Sequence, residues 1–432
     1  MSELRPIAYG TRKIPLYVPP TNLAFEIGPK VVPNNTQAEQ EIARALAEPV
    51  GTLPLFRLVS PDMRVAIIVD DHTRLTPARL ILPAILDGLH RGGVREDNIK
   101  LIIAGGTHRP MSLEEKRQKF GAQVLQRFTV LDHDCLNRNK LKTFGVTKRG
   151  TFIQVNSDAM EADFRLTVGV IFPHFPAGWG GGAKMLLPGI AGAETVAQFH
   201  MLGSVHPDTR LGQIDTVTRK EMEEFAARVG LHFIFNVVLD AQGDILRAFA
   251  GDFVQAHRAG VEFARTIYEV EVNEPADLVI SSTSPIDHDY FQVMKGLYSA
   301  EVCTKPGGEI ILVSPVHEGM AVTHREALQV TPLPMEEAMT RIRRGEFKDN
   351  VGAAIATYQI KLRNTFGITI VSEHLSEEEA RLLGVTLCTV PEELQGMIDR
   401  RLKQNRALKI GLLHQSTEAL PHVRNAGFIR AT

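Results

Sequence analysis

The stretch Arg64-Val65-Ala66-Ile67-Ile68-Val69, followed by Asp70-Asp71-His72-Thr73-Arg74, indicates the fold class most directly. A short apolar run rich in β-branched residues predicts a strand that is buried on both faces, as in a parallel sheet. Pro77 then opens a predicted helix that extends to about Arg91, with apolar residues at helical spacing along one side. A strand, a polar loop and a helix in this order predict an α/β fold.

The same order recurs along the chain. Ser112, with Glu115 three residues later, has the spacing of a capping box and predicts a second helix start. A third helix is expected from Asp287 to about Cys303, and further helix starts at Ser376 and Pro391. The remaining expected strands cover 99–104, 164–171, 276–281, 309–313, 368–371 and 408–412, and residues 1–60 predict little beyond an early strand or two. This alternation favours mostly parallel sheets covered by helices.

Length and composition limit the kind of protein. A chain of 432 residues exceeds what one hydrophobic core usually serves, so we expect two domains, with a boundary near Val272-Asn273-Glu274-Pro275. The formal net charge of −2 gives no reason to expect nucleic acid or a membrane surface as a partner. The three cysteines form no CxxC pair, and no apolar run is long enough to cross a membrane. We expect a cytoplasmic protein.

Polar clusters follow three of the expected strands. Asp71 and Arg74 come after the first strand, Thr107 and His108 after the second, and His174 after the third. Ligands bind beyond the carboxyl ends of the strands in open α/β sheets, so these side chains are candidates for a single pocket. Taken one at a time, Asp71 could equally cap a turn, and each histidine could be a surface or core residue.

The densest signal is the segment 173–189, PHFPAGWGGGAKMLLPG, which we call the glycine block. Gly180, Gly181 and Gly182 precede a single lysine, Lys184, and such glycines allow backbone N–H groups to approach an anion closely. The block is not a Walker A loop, because Met185 stands where that motif requires Ser or Thr. No GxGxxG joins an early strand to a helix, so a nicotinamide dinucleotide site is not indicated.

Two further groups are weaker candidates. His200 lies in a predicted helical segment and could bind a metal, but its spacing names no metal, and His206 competes for such a role. Gln292 and Lys295 are three residues apart on one helix face and could hold a carboxylate, although a solvated helix face explains the spacing equally well.

Together these segments resemble the nickel-dependent lactate racemase family, whose members use a nickel-pincer nucleotide. The resemblance rests on Asp71-His72-Thr73-Arg74, on Gly105-Gly106-Thr107-His108-Arg109, on the glycine block, on His200, and on Phe291-Gln292-Val293-Met294-Lys295-Gly296. It spans roughly residues 65–300. The glycine block is the specific part, and the other blocks are weak alone but strong together.

The resemblance implies a function and a set of roles. The expected enzyme is a racemase or epimerase of a 2-hydroxy acid, an isomerase that works by reversible hydride transfer to the cofactor. Lys184 would carry the nucleotide covalently, with Gly180, Gly181, Gly182 and Thr107 beside it, and His200 would complete the nickel ligands. His108 and His174 match the paired acid/base histidines, and Asp71 would orient the histidine side of the site. Arg74, Lys295 and Gln292 match residues that grip the substrate carboxylate.

The resemblance also implies a domain arrangement: an N-terminal α/β domain of residues 1–272, a Rossmann-like domain of residues 273–411, and residues 412–432 returning to the first. A central active-site cleft would separate the two. The implied partners are a small 2-hydroxy acid and the proteins that synthesise the cofactor.

Two departures from the family concern the substrate. Leu75 stands where many members have proline, and Phe291 where tyrosine is common. The loss of a phenol hydroxyl favours small or apolar 2-hydroxy acids, whereas His72 beside Asp71 would favour polar ones. We expect a substrate other than plain lactate.

Two other functions remain open. One is an epimerase of a larger sugar acid that uses the same site, and the other is a protein that carries nickel or the nucleotide without turnover. A kinase-like phosphate site is disfavoured, because the glycine block does not match the Walker A pattern.

Overall fold

The structure of the protein is a computed structural model, which describes residues 3–206, 208–320 and 324–424. The chain forms two compact units. The central unit comprises Val31–Gly203 and Gln213–Ile267, and the terminal unit comprises Met1–Lys30, Ser204–Gly212 and Tyr268–Thr432. Within the described residues, no helix has the length and apolar character needed to cross a membrane.

A six-stranded sheet forms the core of the central unit. Its strands are β1 (Val65–Asp70), β2 (Ile99–Ala104), β3 (Thr129–Asp132), β4 (Phe164–Val170), β5 (Phe233–Leu239) and β6 (Ile245–Gly251). The spatial order is β6-β5-β4-β1-β2-β3, and every neighbouring pair is parallel except β5 with β6. All residues of β1 and β4 are buried, which confirms that their continuous apolar runs are strands covered on both faces.

Helices cover this sheet. Those used below are α1 (Ala78–Arg91), α2 (Leu113–Phe120), α3 (Ala193–Val205), α4 (Val217–Val229) and α5 (Gln255–Tyr268). The apolar side of α1 packs into the same core as β1 and β2. The predicted capping box is confirmed, because the Glu115 N–H donates to Ser112 Oγ and the Ser112 N–H donates to the Glu115 carboxylate. The unit also contains helices Ala38–Ala47, Ala122–Arg127 and Ser157–Glu161, and a hairpin of Leu141–Val146 with Phe152–Asn156.

The terminal unit has its own six-stranded parallel sheet. In spatial order its strands are Thr386–Cys388, Gly367–Val371, Thr304–Val313, Ala276–Ser282, Ile410–Leu413 and Leu23–Ile27. Its helices are Tyr290–Val293, Lys295–Cys303, Ala327–Val330, Met335–Arg343, Asn350–Thr365, Glu377–Leu383 and Leu394–Gln404. Short strands pair Glu3–Leu4 with Tyr17–Val18, Ile7–Tyr9 with Arg12–Ile14, and Glu269–Val272 with Leu420–Val423. The parallel α/β architecture predicted from the sequence is confirmed in both units.

The division of the chain differs from the predicted one at both ends. Leu23–Ile27 pairs with Ile410–Leu413, so the first 30 residues belong with the C-terminal half. Residues 412–424 also stay in the terminal unit, where Leu420–Val423 pairs with Glu269–Val272, rather than returning to the first domain. Both pairings join segments far apart in sequence, and a local pattern cannot show such a register. Residues 425–432 of the predicted returning segment lie outside the described residues.

One predicted helix is divided in two. Instead of a continuous helix from Asp287, the chain forms Tyr290–Val293 and Lys295–Cys303. Asp289 caps the first piece, since its carboxylate accepts the Gln292 N–H. Asp287 lies before it and accepts hydrogen bonds from Thr283 and Ser314 at 2.6 and 2.9 Å.

Candidate active site

Three strand ends bring the candidate residues of the central unit to one edge of its sheet. Strands β4, β1 and β2 are adjacent and parallel, so their carboxyl ends lie side by side. Asp71 follows β1, His108 lies in the turn after β2, and His174 follows β4. Thr107 is partly buried in that same turn. This arrangement is the one that ligand sites in open α/β sheets use.

Asp71 and His108 form a hydrogen-bonded pair. His108 Nδ1 lies 2.7 Å from Asp71 Oδ2, and the Asp71 side chain is only 3% exposed. Asp71 Oδ1 accepts the Thr73 N–H at 3.1 Å and the Thr73 hydroxyl at 2.5 Å. Burial alone would raise the pKa of Asp71, but the hydrogen bond and charge of His108, the charge of Arg74 and the Thr73 hydroxyl together hold that pKa well below its ordinary value. An ionised Asp71 therefore fixes the His108 ring and leaves Nε2 facing away from the pair.

Arg74 and His174 both contact the Phe172 ring. The Arg74 guanidinium lies 5.4 Å from the centroid of that ring and donates to the carbonyl and hydroxyl oxygens of Thr73 at 3.1 and 3.0 Å. The His174 ring meets Phe172 edge-on, with centroids 5.7 Å apart. One guanidinium and two imidazoles thus belong to a connected cluster that also contains the Asp71 carboxylate.

Three buried polar residues fix the glycine block to the central unit. Asn236 on β5 accepts the Gly182 N–H at 2.9 Å and donates to the Gly169 carbonyl at 3.2 Å. His257 on α5 lies 2.8 Å from the Gly180 carbonyl. Arg219 on α4 donates to the carbonyls of Ala177 and Trp179, and burial lowers its pKa to about 10. Sequence reasoning did not single out these three residues, because no local pattern links them to the block.

Two of the three glycines of the block already use their N–H groups within the protein. The Gly180 N–H donates to the Phe172 carbonyl and the Gly182 N–H to Asn236, so these two groups bond to the protein itself instead of facing an anion. A Cβ added at Gly181 would lie 2.8 Å from Asn236 Oδ1, and one at Gly182 would lie 2.8 Å from the His257 ring. Both glycines also have positive φ angles, 72° and 58°. Close packing accounts for glycine at these positions.

Lys184 lies in a short 3₁₀ helix, Gly182–Met185, at the end of the block. Its carbonyl accepts the Gly189 N–H at 3.2 Å, and the Gly189 carbonyl accepts the Gly106 N–H at 2.9 Å. The lysine segment is therefore bonded to the loop that carries His108. His200 is half-buried on α3, where its ring meets Phe199 edge-on. His206, the other candidate ligand, is paired with Asp208 at 2.7 Å. Within the described residues, no three His, Cys, Asp or Glu side chains lie close enough together to hold a metal ion.

The terminal unit carries the other candidates. Lys295 donates to Gln292 Oε1, so these two side chains are in direct contact, as their spacing suggests. The Phe291 ring meets the His324 ring with centroids 5.6 Å apart, and His324 Nδ1 lies 2.7 Å from Asp349 Oδ2. His324 has a φ of 69°, which is uncommon for a residue other than glycine. Neither the contact nor the backbone angle of His324 leaves a signal in the sequence.

Comparisons with known proteins point to one family of enzymes. The family model described as the lactate racemase N-terminal domain matches residues 9–212. The chain is 35% identical over 289 residues to the lactate racemase of Thermoanaerobacterium thermosaccharolyticum, covering 66% of this chain and 67% of that protein. It is 33% identical over 291 residues to the lactate racemase of Lactiplantibacillus plantarum, covering 66% and 68%.

Solved structures extend the similarity to almost the whole chain. The lactate racemase apoprotein from Thermoanaerobacterium thermosaccharolyticum superposes with a TM-score of 0.85 at 28% identity, over 97% of this chain and 100% of that one. A Thermotoga maritima protein shares the fold alone, with a TM-score of 0.68 at 18% identity over 91% and 100%. The strand-end cluster, the identity to two racemases and the shared architecture show that this chain belongs to the lactate racemase family of isomerases.

Proposed function

We propose that this isomerase racemises or epimerises a 2-hydroxy acid by reversible hydride transfer, with a nickel-pincer nucleotide attached to Lys184. The observation that carries the proposal is the Asp71–His108 pair, which shares one sheet edge with Arg74 and His174. An oriented imidazole beside a cation is what a hydroxy acid needs, since one group takes the hydroxyl proton and the other holds the carboxylate.

The residues present fit such a cofactor. Lys184 lies at the end of a segment held by buried hydrogen bonds, so a group attached to it would be held in one place. The described residues contain no group of three His, Cys, Asp or Glu side chains that could hold a metal ion, and in this proposal the cofactor brings the other donor atoms. His200 would then supply one protein ligand, and Thr107 would lie along the nucleotide. When bound, the cofactor supplies a reversible acceptor for the hydrogen that leaves C2 as hydride.

Proton transfer falls to the histidines. Because Nδ1 of His108 bonds to the Asp71 carboxylate, Nε2 is the nitrogen that takes the hydroxyl proton as the substrate becomes a planar 2-oxo acid. Ionised Asp71 stabilises the imidazolium that results. Inversion needs a second base for the opposite face, and we assign that role to His174. Arg74 binds the carboxylate as a bidentate donor, and we assign carboxylate binding to Lys295 and Gln292 as well.

The first test is whether Lys184 carries the cofactor. We expect protein made together with the cofactor-synthesis proteins to show a mass adduct on Lys184, about one nickel per chain, and racemisation of a 2-hydroxy acid by chiral chromatography. Lys184→Ala should lose the adduct, the nickel and the activity. Lys142→Ala, a change at an exposed lysine on the hairpin, should keep all three. An adduct on another residue, or activity that survives Lys184→Ala, would refute the proposal.

A further inference from the structure

A groove in the central unit is lined by Arg74 and by residues that follow it in the sequence. Its volume is about 540 Å³, within the size range of small-molecule sites. It lies among the loop after β1, the start of α1 and the side of α2. The lining residues that matter for its chemistry are His72, Arg74, Leu75, Arg79, Gln118 and Lys119. We call it the arginine groove.

Most of the charge around the groove is already paired. Lys119 Nζ lies 2.8 Å from Asp70 Oδ1, is buried, and also donates to the Arg74 carbonyl. Glu115, which lines one side, accepts two hydrogen bonds from Arg109 at 2.6 and 2.9 Å. The opposite charges within each of these two pairs offset one another.

Besides Arg74, the groove lining contains a second cation, Arg79, that has no carboxylate partner among the described residues. It is exposed on the first turn of α1, and no carboxylate in the described parts of the chain lies within ion-pair distance of it. The first turn of α1 contains no acidic residue, so the positive end of the helix adds to the charge of Arg79. A Cβ added at Gly121 would lie 3.4 Å from Arg79 Cγ, so the stem of the side chain runs along that glycine.

Two more residues shape the groove. The Nδ1 atom of His72 is buried and has no hydrogen-bond partner among the described residues, while its Nε2 lies 3.9 Å from Glu115 Oε1. Leu75 is 64% exposed and gives the groove an apolar wall. A lactate held at Arg74 would leave this space to water, because its third carbon is only a methyl group.

We propose that the arginine groove receives the far end of a 2-hydroxy acid that carries a second carboxylate, with Arg79 binding that carboxylate and His72 beside it. This inference rests on the proposed function, which places the first carboxylate at Arg74. A guanidinium with no carboxylate partner among the described residues favours a carboxylate over a neutral polyol, since it gains two charge-assisted hydrogen bonds. The substrate class is therefore a dicarboxylic 2-hydroxy acid, with malate as the probe.

Turnover tests the inference on cofactor-loaded protein. We expect kcat/KM for malate to exceed that for lactate, phenyllactate and gluconate by about tenfold or more, which is about 1.4 kcal/mol. Arg79→Gln should lower the malate-to-lactate ratio about tenfold, mainly through KM for malate. Arg138→Gln, at an exposed arginine elsewhere in the central unit, should leave the ratio unchanged. The inference would be overturned if Arg79→Gln left the malate-to-lactate ratio unchanged, or if the protein preferred gluconate or phenyllactate.

Binding separates a failure of this inference from a failure of the proposed function. Succinate cannot react, so its affinity for the unloaded full chain by calorimetry does not depend on the cofactor. We expect succinate to bind about tenfold more tightly than acetate, and Arg79→Gln to remove the difference. Equal affinities would overturn the groove assignment even in an active racemase. Selective succinate binding without racemisation would support the groove assignment and count against the proposed reaction.

Discussion

Asp71 links the charges of the candidate site at the scale of single residues. It is nearly inaccessible, it bonds to His108, and the charge of Arg74 acts on it as well. A carboxylate in this position holds the imidazole in one tautomer, and in the proposed reaction it would offset the positive charge that forms when His108 takes a proton. Thr73 keeps the carboxylate in place through two hydrogen bonds to its other oxygen.

Replacing Asp71 should separate chemistry from binding. We expect Asp71→Asn to lower kcat for the 2-hydroxy acid by about 10²-fold or more with a smaller change in KM, because the amide keeps the shape but not the charge. Asp134→Asn, at an exposed position, serves as the control. Steady-state kinetics on variants with equal nickel content would measure the effect. A normal kcat in Asp71→Asn would show that His108 does not depend on Asp71.

At the scale of elements, the glycine block is a packed segment of the central unit. Trp179 within it is fully buried, and side chains from β5, α4 and α5 hold its backbone. Fixing the segment in this way fixes the position of Lys184. The glycines are needed because other elements approach the backbone too closely for a Cβ atom.

A matched pair of glycine substitutions tests this packing. Gly182 and Gly243 both have positive φ, 58° and 88°, so the backbone disfavours alanine at both sites. A Cβ at Gly182 would meet the His257 ring at 2.8 Å, whereas one at Gly243 would meet nothing within 4 Å. We expect Gly182→Ala to lower the free energy of unfolding by about 1–3 kcal/mol more than Gly243→Ala, measured by urea denaturation. Equal losses would mean that the block repacks without strain.

The elements differ in how far the sequence predicts them. The strands at 65–70, 99–104 and 164–170 carry continuous apolar runs, and their polar ends predicted the sheet edge along which Asp71, His108 and His174 lie. The capping box at Ser112 is a local signal and was also predictable. The pairing of Leu23–Ile27 with Ile410–Leu413 was not, because it depends on contacts across most of the chain. For the same reason, only the folded structure reveals the arginine groove and the buried residues that hold the glycine block.

At the scale of the whole molecule, buried histidines couple stability to pH. Burial, aided by the charge of Arg219, lowers the pKa of His257 well below its ordinary value of 6.5 despite its hydrogen bond to the Gly180 carbonyl. Burial also lowers the pKa of His133, whose Nε2 lies 2.9 Å from the Ala191 carbonyl. Each of these rings is held neutral in the folded protein and becomes free to take up a proton when the chain unfolds.

The sign of the effect follows from proton uptake. Below a pH of about 6.5 the unfolded chain protonates His257 while the folded protein does not, so the unfolded state binds more protons and stability falls as the pH falls. One such histidine contributes a slope of at most about 1.4 kcal/mol per pH unit. We expect His257→Gln, whose amide can still donate to the Gly180 carbonyl, to lose less stability than the wild type between a pH of about 6.5 and about 5. His133 titrates in both proteins, so its contribution cancels in the difference. Urea unfolding at several pH values gives the two slopes, and equal slopes would show that His257 is protonated in the folded protein as readily as in the unfolded chain.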